Sequence, residues 1–418
     1  VYLIFIFVRK KFDTYEIFID NLNEISFPKK MNSLKTLTPE LVKDKVVVVR
    51  TDFNVPLKDG KIMEDSRILL AMPTLQFLVQ NGAKRVHILT HLGRPKGEIV
   101  PELSTKILIP TIEKLLGEQV YFRSDFTAGN ERVQLHENTR FWKGEKKNDS
   151  NFVQQIRDGL EAELFVLDGF SVAHRAHASV VGLAEAGVET CAGRLLESEI
   201  KYLEPFLSQI KIAGLTVIVG GAKMETKVAV LKHFAKTAEN IIVGGALANT
   251  FLVANGYNVG KSLFEESEVE TAREVLEIAE EYKTGFHLPV DVQVASDPAG
   301  ESLYIPAEDV SGDMKIFDIG PHSIASFCEI IAHSHTIVWN GPVGFFEKKP
   351  FDTGTKAIAE AIARNEESIS ILGGGDTVSA IKSLGLNTEQ FTHVSTGGGA
   401  MLEFLEGKEL PGVRIVMK

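Results

Sequence analysis

The strongest constraint on this chain is a unit that it repeats, a short apolar and mostly β-branched run that stops at glycine or polar residues. Residues 45–49 lead into Arg50-Thr-Asp-Phe-Asn54, 86–89 into Thr90-His-Leu-Gly-Arg-Pro95, and 164–167 into Asp168-Gly169. The pattern returns at 217–219 before Gly220-Gly-Ala-Lys223, at 241–243 before Gly244-Gly-Ala246, and at 337–339 before Asn340-Gly-Pro-Val-Gly344. Residues 369–372 end on Gly373-Gly-Gly-Asp-Thr377, and His393-Val394 on Ser395-Thr-Gly-Gly-Gly399. Segments with helical spacing, such as 227–238 and 353–363, separate several of these runs. Strand and helix alternating in this way predict an α/β fold of two doubly wound parallel-sheet (Rossmann-like) domains joined by a connecting helix. Such sheets bind ligands at the carboxyl ends of their strands, where the Gly, Asp, Asn, Arg and Lys clusters fall here.

The connecting helix is read at 195–207, where Leu196, Ile200, Leu203 and Leu207 share a face and Pro205 predicts a kink or stop. The expected domains are 31–205 and 206–404, with the tail 405–418 packing back on the first. Residues 1–30 stand apart: an apolar octet precedes Arg9-Lys-Lys11, the reverse of a secretory signal and too short to span a membrane. The native product is expected to begin at Met31; an intact peptide from residues 12–28 of natively expressed protein would contradict that.

A length of 418 residues gives each domain room for a core, and a net charge of −11 argues against nucleic acid or an anionic membrane as partner. A local basic pocket can still hold a small anion. The two cysteines, Cys191 and Cys328, are far apart in apolar surroundings and read as buried thiols of a reducing compartment.

In the first half the basic groups Arg50, Arg67, His91, Arg94, Arg140, His174, Arg175 and His177 are read as lying in loops after strands. Arginine forks match carboxylate and phosphate oxygens in pairs, so the set points to a small acid carrying a phosphate. His174 and His177 are expected on one helical face, but the arginine between them and the lack of a nearby carboxylate argue against a metal pair. His333 and His335 are read as a solvated turn.

In the second half, Lys223 and Lys227 are spaced to share one face of a helix turn beside Gly220-Gly221. Neither a G-x-x-x-x-G-K-[ST] loop nor a G-x-G-x-x-G fingerprint is present; at Gly373-Gly-Gly375, Val378 stands where the last glycine belongs. The turn 373–377 joins a buried strand to a helix start, a place with free N–H donors suited to phosphate, and Asp376 there suggests an intervening Mg²⁺ or else an N-cap. Four glycine loops with Lys223, Lys227, Glu347 and Asp376 are best explained by a nucleoside triphosphate and Mg²⁺.

The motifs RTDFNVP (50–56), HLGRP (91–95), ENTRF (137–141), AHRAHAS (173–179), GGAK (220–223), WNGPVGFFE (339–347), GGGDT (373–377) and STGGG (395–399) occur in the order found in phosphoglycerate kinases. The chain resembles that family over essentially 31–418. The resemblance implies a monomeric, cytosolic, two-lobed glycolytic enzyme. Its reaction would be reversible phosphoryl transfer between 1,3-bisphosphoglycerate and ADP, with Mg²⁺. Asp52, Asn54, His91, Arg94, Arg140 and Arg175 would then hold 3-phosphoglycerate, with Arg67 the catalytic arginine and also a substrate contact. Lys223 would follow the phosphoryl group in flight, and the backbone of Gly375 and Gly398 would meet it. Gly221, Lys227, Asn340, Glu347, Gly374, Gly375, Asp376 and Thr377 would bind the nucleotide, with Gly244, Gly245, Pro342 and Gly344 lining its base pocket and Asp376 linked to the metal. Departures from the family pattern are Val166-Leu-Asp-Gly-Phe170, His322, and a short loop at 127–133. The competing readings are a dinucleotide oxidoreductase, disfavoured by the missing fingerprint, and a non-catalytic scaffold, disfavoured because Arg67, Lys223 and Asp376 are all present.

Overall fold

The computed structural model describes residues 34–418, so the expectations for residues 1–30 and for Met31 lie outside the described residues. The chain divides into two compact units. The first holds the described residues through Glu204 together with Gly407–Lys418, and the second is Pro205–Glu406.

In the first unit, strands β1 (Val46–Thr51), β2 (Arg85–Leu89), β3 (Tyr121–Arg123), β4 (Val133–His136), β5 (Leu164–Asp168) and β6 (Glu189–Ala192) form one parallel sheet in the order β3-β4-β2-β1-β5-β6. From β1 the chain builds first one side of the sheet and then the other. The point of reversal is where a crevice opens beyond the carboxyl ends. All six residues of β1 are buried, as a central parallel strand covered on both faces requires, and its four valines meet that need. Helix α1 (Ser66–Gln80) presses Ile68, Leu75 and Leu78 onto Val47, Val49 and Ile88. Helix α2 (Arg194–Leu203) ends in a 3-10 turn, Glu204–Leu207, that contains Pro205, and the unit boundary falls within that turn. The tail returns to the first unit, with Lys35 N–H donating to Val416 O (2.8 Å) and Gly412 N–H to Ala173 O (2.8 Å). It begins at Gly407, two residues later than the expected 405.

The second unit carries β7 (Leu215–Val219), helix α3 (Val228–Thr237), β8 (Asn240–Val243), helix α4 (Gly245–Ala254) and β9 (Gly285–His287). Strands β10 (Asp291–Ala295), β11 (Leu303–Pro306), β12 (Lys315–Ile319) and β13 (Thr336–Asn340) follow. Helix α5 (Thr353–Arg364), β14 (Ile369–Gly373), helix α6 (Gly375–Ser383), β15 (His393–Val394) and helix α7 (Gly398–Leu405) complete it. Its main sheet is parallel, in the order β9-β8-β7-β13-β14-β15. Trp339, fully buried in β13, anchors the core with Ile337, Leu372 and Ile381, and its indole N–H donates to Gly341 O at 2.8 Å. A second sheet, β11-β10-β12, is antiparallel and was not anticipated. Cys191 is buried as expected, but Cys328 is only half-buried. No helix among the described residues is long and apolar enough to cross a membrane.

Candidate active site

At the carboxyl ends of β1, β2, β4 and β5 the first unit gathers its charged side chains. Arg50 is not in a loop, as expected, but on β1 itself, and it is fully buried. Its guanidinium donates to Thr139 Oγ1 (3.3 Å) and to His91 Nδ1 (3.0 Å). A guanidinium can only donate, so Nδ1 of His91 accepts and the ring proton sits on Nε2. Burial pushes His91 well below its ordinary range against the pull of Asp52, and Arg50, Arg140 and Arg67 add to the lowering. His91 is therefore a neutral donor at pH 7. Its 3.5 Å approach to Asp52 is not a charged pair.

Asp52 accepts from Arg67 and from the Ser171 hydroxyl through Oδ2, and from Asn54 N–H (3.2 Å) through Oδ1. Burial acts to raise the Asp52 carboxyl, but the Arg67 guanidinium, the Ser171 hydroxyl and Arg50 hold it below the carboxylate range. Arg67 lies in the first turn of α1, not in a loop, and is partly exposed. Asn54 Oδ1 accepts from Gly93 N–H (2.8 Å) and Arg140 donates to Gly93 O (2.9 Å), so both side chains brace the turn that presents Arg94. Burial, with the charge of Arg50 beside it, lowers Arg140 to about 10, which leaves it cationic at neutral pH. Arg94 and Arg175 are exposed. His174 and His177 do not share a helical face: residues 173–175 form a turn and bend, and His177 precedes a π-helical segment, Ala178–Gly182.

Sequence reasoning missed Glu145. It is fully buried and accepts from Ser179 N–H (3.0 Å), Ser179 Oγ (2.6 Å) and Thr139 Oγ1 (3.4 Å). It supplies negative charge beside Arg50 and Arg140. A buried cluster of cations needs such a counter-charge. In the sequence it sits in Gly144-Glu-Lys-Lys-Asn148, which reads as a solvated surface turn.

The second unit builds its site from backbone. Gly220–Gly221, Gly244–Gly245, Gly341–Gly344 and Gly373–Asp376 all follow strand ends and converge. Gly221 N–H donates to Pro342 O (2.7 Å), Gly245 N–H to Val343 O (2.8 Å) and Gly341 N–H to Thr377 Oγ1 (2.7 Å). A Cβ on Gly220 would stand 2.1 Å from Pro342 O, and one on Gly398 would stand 2.6 Å from Gly374 Cα. No larger residue permits that approach. Beside the junction opens a cavity of about 620 Å³. Gly221, Gly245, Pro342, Gly344, Glu347 and Asp376 line it. Gly244 stands behind the lining against Val343, and Asn340, Gly374 and Thr377 form the neighbouring wall. Asn340 Nδ2 is buried with no partner among the described residues.

Helices α4, α6 and α7 start at Gly245, Gly375 and Gly398, and none has a side-chain cap. At α4 the first N–H, that of Gly245, is taken by Val343 O, but at α6 and α7 the first N–H groups have no backbone partner among the described residues, which favours an anion there. Asp376 is not the N-cap of α6. That position belongs to Gly374 at φ +97°, a conformation that glycine adopts without strain, while Thr377 Oγ1 donates back to Gly373 O (2.8 Å). Lys223 and Lys227 do not share a helix face, because α3 starts only at Val228. Lys223 is exposed in the preceding loop, whereas Lys227 is buried and donates to Gly220 O across the glycine junction. Burial lowers Lys227 to about 8, with Asp376 pulling the other way. Sequence reasoning also missed Asp318, whose buried carboxyl accepts from Gly354 N–H (2.7 Å) at the start of α5 and packs against Gly344. Burial pushes Asp318 up to about 7. His333 and His335 are exposed, but Ser334 between them is buried against Thr216 Oγ1 (2.7 Å), so this is not a solvated turn throughout.

A family model described as phosphoglycerate kinase matches residues 37–408. A phosphoglycerate kinase of Clostridioides difficile (strain 630) is 43% identical over 397 residues, which are 92% of this chain and 98% of that protein. Among solved structures, the phosphoglycerate kinase of Coxiella burnetii superposes with a TM-score of 0.83 at 39% identity, covering 92% of this chain and 99% of that one. The enzyme of Pyrococcus horikoshii OT3 gives 0.75 at 32% identity, covering 90% and 96%. The motifs, the two parallel-sheet units and these relatives agree, and the chain belongs to the phosphoglycerate kinase family.

Proposed function

We propose that this protein reversibly transfers a phosphoryl group between 1,3-bisphosphoglycerate and ADP, giving 3-phosphoglycerate and ATP. The observation that carries the reading is the convergence of four glycine turns and uncapped helix starts on one cavity with Lys227 and Asp376 beside it. That arrangement suits a polyphosphate. The basic cluster of the first unit suits an acid bearing both carboxylate and phosphate.

In the direction of ATP use, a carboxylate oxygen of 3-phosphoglycerate attacks the γ-phosphorus. The new P–O bond forms as the bond to the β-phosphate oxygen breaks, and ADP leaves. The carboxylate is already ionised, so no general base is required; catalysis is positioning and charge neutralisation. Asp52, through Arg67, together with Asn54 and Arg140, through the Gly93 turn, positions the acid contacts. Neutral His91, Arg94, Arg140 and Arg175 donate to the acid. Arg67 and Lys223 neutralise the transferring oxygens, with the N–H groups at Gly375 and Gly398 beside them. Lys227, Gly221, Gly374, Asp376 and Thr377 hold the nucleotide phosphates. Glu347 and Asn340 bind the nucleoside, and Gly244, Gly245, Pro342 and Gly344 border the base.

Asp376 fits Mg²⁺ as a single carboxylate on an ion held mainly by phosphates and water, and no group of three or more His, Cys, Asp or Glu among the described residues competes for the role. Mg²⁺ supplies charge neutralisation on the phosphate oxygens. The acid and nucleotide must meet with water excluded, so we propose hinge closure about the turn at Pro205, in a monomeric cytoplasmic enzyme. The test is a coupled assay: ATP and 3-phosphoglycerate are consumed with Mg²⁺ and without redox change, and no turnover under those conditions refutes the function.

A further inference from the structure

Between β7 and α3, the loop that carries Lys223 is tied down from a distant part of the chain. Met224 N–H and Glu225 N–H both donate to one carboxylate oxygen, Oε2 of Glu265, at 2.7 Å and 3.2 Å. Just before them, Thr226 Oγ1 donates to Lys223 O at 3.3 Å. The peptide group that joins Lys223 to Met224 is therefore held both at its carbonyl and at its N–H. Because a peptide is planar, holding it on both sides restricts the swing of the Lys223 side chain about the backbone. Met224 completes the anchor. Its side chain is fully buried, and its carbonyl accepts from Lys227 N–H (2.7 Å) and Val228 N–H (3.0 Å). Helix α3 has no side-chain cap of its own, so Glu265 is the group that meets the free donors ahead of it. Glu265 is aimed in turn by α4, since its own N–H donates to Thr250 Oγ1 at 3.1 Å. The Lys223 side chain stays exposed beside this clamp.

We infer that Glu265 is a positioning residue for phosphoryl transfer, acting through the backbone of Met224 and Glu225 to hold the Lys223 amine on the path of the transferring group. The inference rests on the reading of Lys223 as the cation that neutralises that group. Lysine carries its charge on a long flexible stem, so the ammonium reaches a fixed point only if the backbone beneath it is still. A displacement of about 1 Å at a reacting group can cost ~10²-fold in rate. Glu265 touches neither substrate in this role. Its loss should therefore appear in kcat and not in the binding of the acid or the nucleotide.

The experiment is a double-mutant cycle read in kcat, with ATP, 3-phosphoglycerate and Mg²⁺. Glu265→Ala is expected to lower kcat about 10-fold or more, with KM for both substrates within about twofold of wild type. Glu265→Gln keeps a neutral acceptor and should fall between, about fourfold below wild type. In a Lys223→Ala background, with the residual rate followed at higher enzyme concentration, neither change should lower kcat by more than about 1.5-fold, because the group being positioned is gone. A merely structural role would lower Tm and cut kcat by the same factor in both backgrounds, and that result overturns the inference. Wild-type kcat in both Glu265 variants overturns it too, while leaving the reading of Lys223 standing. Should Glu265→Ala fail to fold, Glu265→Gln decides in the same two backgrounds. Wild-type turnover in Lys223→Ala would sink the role of Lys223 and this inference with it. No turnover in the wild-type protein would sink the proposed function itself.

Discussion

The first unit makes its site from side chains and the second makes its site from backbone. In the first, four of the groups at the strand ends are buried or partly buried ions: Arg50, Asp52, Arg67 and Glu145. Their positions are set by one another, through Thr139, Ser171 and Ser179. In the second, close glycine contacts bring peptide N–H groups to the cavity edge, and the buried cation there is Lys227. Backbone dipoles need no counter-ion, whereas clustered arginines do, and that is why the first unit carries buried carboxylates beside its cations. The two sites should therefore fail in different ways: one by loss of atoms, the other by addition of them.

The largest expected effect is from deleting charge. Under the proposed function, Arg67→Ala and Lys223→Ala each lower kcat by at least ~10²-fold with little change in nucleotide affinity, as for lost transition-state stabilisation. Steady-state kinetics decide, and wild-type turnover in either variant removes that residue from the catalytic set. Next in size is the converse change in the second unit. Gly398→Ala adds a methyl 2.6 Å from Gly374 Cα, so ATP binding should weaken ~10-fold or more while the dissociation constant for 3-phosphoglycerate stays within about twofold. Calorimetric titration of both ligands measures this, and equal weakening of both would erase the distinction between the sites.

Smaller effects separate the units by pH. His87 and His136 form a buried pair, Nδ1 to Nε2 at 3.0 Å, and burial lowers them to about 3 and about 4. Their contribution to stability is present above the unfolded value near 6.5 and is lost as pH falls toward 4 and 3. Asp318 has the opposite sign: raised to about 7, it contributes most below the unfolded value near 4 and loses that contribution as pH rises through 7. Asp318→Asn should thus gain stability relative to wild type between about pH 4 and about pH 7, by roughly 5 °C in Tm. His87→Gln should flatten the acid limb instead. Denaturation curves across pH that show the same slope change for both variants would remove the contrast.

Much of this was legible in the sequence because parallel strands advertise themselves: Val46–Val49 and Ile369–Leu372 are apolar on both faces and end in glycine or charge. The glycine walls were legible for the same reason, as were the residues that the motifs name. What escaped depends on contacts distant in sequence. Nothing local marks Glu145 as buried, since its partner Ser179 is 34 residues away. Arg50 read as a loop cation because charge is rarely buried, and only Thr139 and His91 make its strand position tenable. Lys223 and Lys227 have helical spacing, but residues 224–227 form a bend and a turn, and the helix starts only at Val228. The antiparallel sheet was missed because β11 is short and mostly exposed, and β10 and β12 interrupt their apolar residues with Asp291, Gln293 and Asp318.

The return of Gly407–Lys418 to the first unit sets an order of assembly. A ribosome emits the sheet of that unit by Ala192, and the chain crosses to the second unit after Glu204. The bonds from Gly412 to Ala173 and from Lys35 to Val416 must wait until the whole second unit has been made. The half synthesised first is thus the half completed last. The second unit, continuous from Pro205 to Glu406, needs no such late segment to close its fold.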